Sequence, residues 1–351
     1  MSVDQMHGTC IYCPLPNKHC IRLLCLAPGA FEAPISGHFI VKDMKDDNIS
    51  YEALSYEWGL DACDHRVSIS DHEVFTKKNL FEALQHLPRT DEERILWIDA
   101  ICINQDDLEE RAEQVRVMDE VYARASNVII WLGITTHHTE AGMYVLRHLA
   151  SYEELVGERV PWFSRDSQQR SDLKWGLDDI ASQGYWQRLW VVQEFVLATR
   201  LTIQRGTYHL TLRSSYDVRR MLIRIKFAEI SPQWRHAGLH ECDLSGLIEM
   251  LEQRQDNFDR EVRQEKSLLE LVHKFRHLRV QNKVDLLYGL LALAPARTRN
   301  ALSVDYRLTE AEVFQDSLRV IEQKMPTRWA HLYPRTMLVF EQKHAYAHTL
   351  S

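Results

Sequence analysis

Two short stretches hold residues whose types and spacing suit chemistry. In "RILWIDAICINQDD" (94–107) an apolar run from Ile95 to Ile98 is followed at once by Asp99, and then by Cys102, Asn104 and Gln105. Such a run reads as a strand covered on both faces. In an open parallel sheet, ligands bind beyond the carboxyl ends of the strands, so a carboxylate and two amides there are placed to hold a polar substrate. The competing use is structural: Asp99 and Asn104 also suit the capping of a helix that starts near Asp106. The second stretch is Arg188-Leu-Trp190-Val-Val-Gln193-Glu194. Four residues apart on a helix, Trp190 and Glu194 share a face, and Val191, Val192, Phe195 and Leu197 make the surroundings apolar. A carboxylate in that setting is either tied to Arg188 or a backbone amide, or aimed at a substrate with its pKa raised by burial.

The elements that must position these residues are legible as periodicities. "IRLLCLAPG", "GHFIVKDM" and "YEALSYEWG" carry the apolar and aromatic signature of strands, and "RVSIS-DH-EVFT" reads as a hairpin turning at Asp71-His72. Leu80, Ala83, Leu84 and Leu87 mark one face of a short helix that Pro88 ends. Leu108, Ala112, Val115, Met118 and Tyr122 recur at helical steps between Asp106 and Ser126, with Asp106, Asp107, Glu109 and Glu110 in the first turn, where they complement the helix dipole. "NVIIWLG" is a second buried strand, and strand, helix, strand predicts a parallel crossover unit in an α/β core. Residues 135–180 are polar and read as a poorly ordered insertion of helix and loop. Past Thr207 the texture turns helical: a charged helix over 246–278, an apolar one over 283–293, and a Thr309/Glu312 capping box opening a helix over 310–324. The expected organisation is an N-terminal segment (1–20), an α/β domain (21–210) and a mostly α-helical region (211–351).

Composition narrows the function. With 351 residues, 45% apolar, the chain is long enough for a substantial core. A net charge of −8 with interleaved acids and bases offers no basic surface for nucleic acid. Neither a leader nor an apolar span of membrane length is present, which leaves the cytoplasm as the expected location. Seven scattered cysteines fit a reduced compartment. Cys10, Cys13, His19, Cys20 and Cys25 can be drawn as a zinc site, but a second CxxC is missing and Cys25 falls within a strand, so ordinary thiols and no metal are expected. His273 and His277, four apart, lie among lysines and arginines and read as a solvated face. The glycine-rich dinucleotide and P-loop fingerprints, the G-x-S-x-G elbow and the H-E-x-x-H zinc motif are all absent.

Three blocks, "YEALSYEWG" (51–59), "LWIDAICINQDDLEERAEQVRVMDEVYARASNVIIWLG" (96–133) and "RLWVVQEFVLA" (188–198), resemble in order and spacing those of the fungal heterokaryon incompatibility (HET) domain. "IRLLCLAPG", "NKVDLLYGLLALAP" and "VDYRLTEAEVF" resemble its flanking segments, so the similarity covers most of residues 21–315; "VQNKVD" stands where the family usually has an Asp-Pro-Arg-Asp run. The resemblance implies a cytosolic fungal protein of non-self recognition and programmed cell death. It also implies a fold remotely similar to the Toll/interleukin-receptor (TIR) domain, with a TIR-like parallel-sheet core and helical insertions. In TIR enzymes the acid of a W-x-x-x-E helix cleaves nicotinamide from NAD. By that analogy Glu194 is the catalytic carboxylate and NAD a substrate, with neither cofactor nor metal required. Trp190, Trp58 or Tyr56 would stack on a ring, Asn104 and Gln105 would orient ribose or phosphate, and Asp99, Arg188 and Gln193 would complete the site. Glu194 and Asp99 should then face one cleft. The alternative is a non-enzymatic signalling module that self-associates or binds a partner signalling protein, with both acids structural. The chain ends at Ser351 in a polar, His-containing tail, either without the regulatory half of longer relatives or as an incomplete gene product.

Overall fold

A computed structural model describes residues 11–46, 48–151, 160–259 and 265–322. The carboxy-terminal tail and Cys10 of the CxxC pair lie outside the described residues. Packing divides the chain into two compact units, one ending at Arg263 and the other beginning at Gln264.

Among the described residues of the first unit, one mixed sheet has nine strands: β1 (Cys20–Leu26), β2 (Ser36–Asp43), β3 (Glu52–Tyr56), β4 (Cys63–Ile69), β5 (His72–Lys77), β6 (Arg94–Trp97), β7 (Asn127–Trp131), β8 (Leu201–Arg205) and β9 (Tyr208–Leu212). Their spatial order is β5-β4-β2-β1-β6-β3-β7-β8-β9. The central parallel strands are β6, β3, β7 and β8, and a short parallel pairing of β2 with β4 lies toward the other flank. β1 is buried at every position and runs antiparallel to both β6 and β2, while β9 returns antiparallel on β8. The fold is thus α/β with antiparallel additions at both flanks, broader than a purely parallel core. The β4–β5 hairpin turns one residue earlier than its sequence suggests, at Ser70 and Asp71, with φ of 49° and 64°. A two-residue loop of this hand needs both central residues at positive φ, which leaves His72 to pair with Ile69.

Helices cover the sheet: α1 (Lys78–His86), the single turn α2 (Asp99–Cys102), α3 (Leu108–Arg124), α4 (Thr139–Ala150), α5 (Ser167–Ala181) and α6 (Val191–Leu197). α3 starts where the acidic first turn suggests, and its cap is Asp107, whose carboxylate accepts from the backbone N–H groups of Glu109 and Glu110. Over residues 135–180 the expectation of a poorly ordered insertion is corrected. α4 buries Met143, Val145, Leu146 and Leu149, and it crosses α5 so closely that a Cβ on Gly142 would stand 2.1 Å from the Gly176 carbonyl oxygen. Two glycines permit that backbone approach, and the polar composition belongs to the outward faces; residues 152–159 lie outside the described set.

Strand gives way to helix after β9, where the texture of the sequence changes, with α7 (Ser215–Ile230), α8 (Pro232–His236) and α9 (Ser245–Phe258). These three helices belong to the first compact unit, because α7 packs on α4 and α9 on α6. The second unit holds α10 (Leu268–Phe275), α11 (Asp285–Leu291), α12 (Ala296–Arg299) and α13 (Glu310–Glu322). The expected helix over 246–278 is therefore two, α9 and α10. The Thr309/Glu312 capping box is formed, each residue's side chain bonded to the other's backbone N–H. Inside "VQNKVD", the Asn282 side chain accepts from the Val284 N–H and so turns the chain into α11.

Candidate functional site

Beyond the carboxyl ends of β3 and β6, the structure gathers the acids of the two stretches. β3 ends at Ser55 and Tyr56, both buried, and β6 runs through Ile98 directly into Asp99, the first residue of α2. The loop after β3 is pinned from two sides: Asn79 donates to the Glu57 carbonyl (2.7 Å) and Lys77 Nζ to the Gly59 carbonyl (2.8 Å). So held, Trp58 donates its indole Nε1–H to Asp99 Oδ2 at 2.9 Å, while Asp99 Oδ1 accepts from the Ala100 N–H.

α6 brings in Glu194, whose residue surface is only 3% exposed. Its Oε2 accepts a short hydrogen bond of 2.5 Å from Ser55 Oγ, which lies 2.7 Å from the Tyr185 hydroxyl. A serine has one proton to give; with Glu194 ionised, Tyr185 must donate to Ser55 and Ser55 to the carboxylate, a directed relay of three groups. Tyr122, fully buried, lies against the same carboxylate.

The electrostatics follow from this enclosure. Burial and the neighbouring negative charge of Asp99 push the Glu194 pKa up to about 7, against the opposing pull of Arg188 and the hydroxyls of Ser55 and Tyr122. Burial also raises Asp99, offset by Arg188, by the Trp58 N–H and by the Ala100 N–H. Arg188 donates to the Tyr56 carbonyl and so stands within the field of both acids without being locked onto either. The structural reading in which Arg188 neutralises Glu194 by a direct pair is not what the fold builds.

Of the residues singled out from the sequence, Asp99, Glu194, Tyr56, Trp58 and Arg188 come together. Gln105 braces the turn, its side-chain amide donating to the Asp99 carbonyl at 2.8 Å. Gln193 is buried beside Glu194 in the chain, with its amide nitrogen unpartnered among the described residues. Trp190 is half-buried at the start of α6. Asn104 does other work: its N–H donates to Glu110, the carboxylate that forms a bidentate pair with buried Arg22, and its side chain accepts from the Asp106 N–H. Glu194 is buried, while Asp99, Trp58 and Arg188 are half-buried. Sequence reasoning missed Ser55, Tyr185 and Tyr122. Ser55 carried the one available signal, a hydroxyl set in the otherwise apolar run of β3.

Of the leader residues drawn as a possible zinc site, Cys25 joins a metal-capable group with two residues from outside the leader. Among the described residues the donor atoms of Cys25, His38 and Glu93 lie within 4.8 Å of one another. No helix among them is long and apolar enough to cross a membrane.

Residues 51–194 match the family described as heterokaryon incompatibility protein (HET), a span that begins at Tyr51 and closes on Glu194. The chain is also 28% identical over 372 aligned positions to heterokaryon incompatibility protein 6, OR allele, of Neurospora crassa, covering 88% of this chain and 52% of that protein. The chain thus spans about half the length of the curated relative it matches. No solved structure matches it.

Proposed function

We infer, for a chain whose residues 51–194 are a heterokaryon incompatibility (HET) domain, a role in fungal non-self recognition leading to programmed cell death, with the acid cluster around Glu194 as its enzymatic part. The reaction is hydrolysis of the nicotinamide–ribose bond of NAD or a related nucleotide: water adds to the ribose carbon, the bond to the pyridinium nitrogen breaks, and nicotinamide, ADP-ribose and a proton are the products. Positive charge builds on the sugar as the bond lengthens, so an ionised carboxylate beside it stabilises the transition state. Nicotinamide departs neutral and needs no acid.

One observation carries this reading: Glu194 sits with Asp99 at the carboxyl ends of parallel strands, held by the Ser55 hydroxyl rather than by a guanidinium. A pKa of about 7 leaves it half ionised at neutral pH, poised between the two states. Trp58, Arg188 and Asp99, half-buried, are the members of the cluster next to solvent, and Trp58 and Arg188 must part for a dinucleotide to enter. The W-x-x-x-E resemblance to TIR domains points to the same acid.

A second reading, assembly without chemistry, is favoured by a different feature. Tyr216, Ile223, Phe227 and Ile230 are exposed at i, i+7, i+11 and i+14 along α7, an apolar stripe of the kind that docks a second helix. Incubating the concentrated protein with NAD and measuring free nicotinamide separates the two. Release that disappears in Glu194→Gln supports hydrolysis at this site. Release that persists in Glu194→Gln removes Glu194 from the role, and its absence in the unaltered protein under forced self-association favours assembly.

A further inference from the structure

At the opposite end of the same parallel strands lies a cleft of about 430 Å³, bordered by Arg89, Arg94, Arg200, Arg213, Glu52 and Glu93. Four guanidinium groups against two carboxylates would be unremarkable if they were paired, and two of them are. Arg94 forms a fork on Glu52, with Nε at 2.6 Å and Nη2 at 3.1 Å, and Asn127 donates to the same carboxylate at 3.0 Å, so Glu52 has little acceptor capacity left. Arg89 is held by Glu92. Arg200 and Arg213 are different: among the described residues neither side chain has an acidic partner or a hydrogen bond.

Their placement sharpens the point. β8 and β9 pair Leu201 with Leu212 and Thr202 with Thr211, and one further step in that register sets Arg200 opposite Arg213. Residues two apart on a strand share a face, so both arginines lie on the face of the Thr202–Thr211 pair, whose hydroxyls are 3.1 Å apart and which also lines the cleft. Like charges directly opposed across an antiparallel pair cost stability unless something negative sits between them. We propose that the cleft at the amino-terminal edge of the parallel strands is a binding site for an oligophosphate group, gripped by Arg200 and Arg213; Thr202 gives its proton to Asn127 Oδ1, which leaves the Thr211 hydroxyl as the neutral donor that can turn to the anion. Planar guanidinium forks match phosphate oxygens two at a time, and the volume exceeds what a single carboxylate or phosphate fills. Glu93 at the rim is the carboxylate that opposes the anion. This site is separate from Glu194 and stands whether or not that acid is catalytic.

The test is calorimetric titration of the full chain at low salt with tripolyphosphate and with ATP, sulfate serving as the reference anion. Both oligophosphates should bind more tightly than sulfate. Arg200→Ala combined with Arg213→Ala should weaken them about tenfold or more while the melting temperature of the free protein holds or rises, since both side chains are exposed and their mutual repulsion is removed. Glu93→Gln should act in the opposite direction and tighten binding several-fold. Equal affinity for the two ligands identifies a free oligophosphate as sufficient; tighter ATP binding identifies a nucleotide as the source. Tripolyphosphate binding no better than sulfate, affinities unmoved in the double variant, or a single-stranded oligonucleotide binding as well as tripolyphosphate would each overturn the assignment.

Discussion

At the scale of single residues, the chemistry rests on how Glu194 is held. Ser55 donates to the carboxylate and so favours its ionised form, an effect that burial and Asp99 oppose. Removing the hydroxyl should move the acid upward: in Ser55→Ala, the acidic limb of the pH–rate profile for nicotinamide release is expected at higher pH by up to about one unit. An unshifted limb would show that the bond does not tune the acid. Linkage supplies a second expectation that needs no activity. A carboxyl with a folded pKa of about 7 is raised above its ordinary 4.5, so the folded state favours its neutral form. The stability it contributes is complete below about pH 4.5 and is lost as the pH rises through 7. Relative to the unaltered protein, Glu194→Gln should therefore be equally stable at pH 4 and more stable at pH 8, by up to about 3 kcal/mol. Urea denaturation at the two pH values checks this, and parallel behaviour across the range would contradict it. Asp99 and Glu194 were legible as carboxylates out of place in apolar stretches and Arg188 as a nearby partner, whereas Trp58 entered through the family resemblance. Tyr122 and Tyr185 were not, because an aromatic in a buried helix or turn looks the same whether its hydroxyl faces a carboxylate or a carbonyl.

At the scale of elements, α6 is seven residues long and depends on neighbours for its termini. Arg254 of α9, fully buried, donates Nη1 to the carbonyls of Phe195 and Val196 and Nη2 to that of Thr199, closing the carboxyl end of the helix that carries Glu194. Burial lowers its pKa to about 10, so it remains charged at neutral pH and complements the helix dipole. Arg254→Ala strands three carbonyls and is expected to cost about 3 kcal/mol in urea denaturation, with Arg254→Lys recovering part of it. A loss below about 1 kcal/mol for the alanine variant would show that water replaces the clamp. Strands, α1 and α3 could be read from periodicity, since each keeps one repeat across its length. The α4–α5 pair was harder to read, because its closest approach is made by backbone at Gly142 and Gly176, and a glycine within a helix counts against the helix in sequence even though each helix buries an apolar face.

At the scale of the whole molecule, the apolar stripe on α7 is the feature with an outward consequence. Phe227 and Ile230 are 67% and 73% exposed, so replacing both by serine removes apolar surface without opening the core. If α7 mediates assembly, the double variant should sediment as a smaller species than the unaltered protein at the same concentration. Identical sedimentation would leave the stripe without that role. By itself, the sequence determined the α/β class, the strands and their flanking helices, the family resemblance and the two acids worth watching, because hydrophobic period and residue type are local properties. Only the tertiary structure decided that β1 and β9 turn antiparallel against the parallel core, and that Glu194 is bonded by Ser55 instead of Arg188. It also decided that Arg200 and Arg213 meet across a cleft. Each of these depends on which distant segments become neighbours, and pairing between strands is settled by the joint packing of all of them rather than by any one stretch.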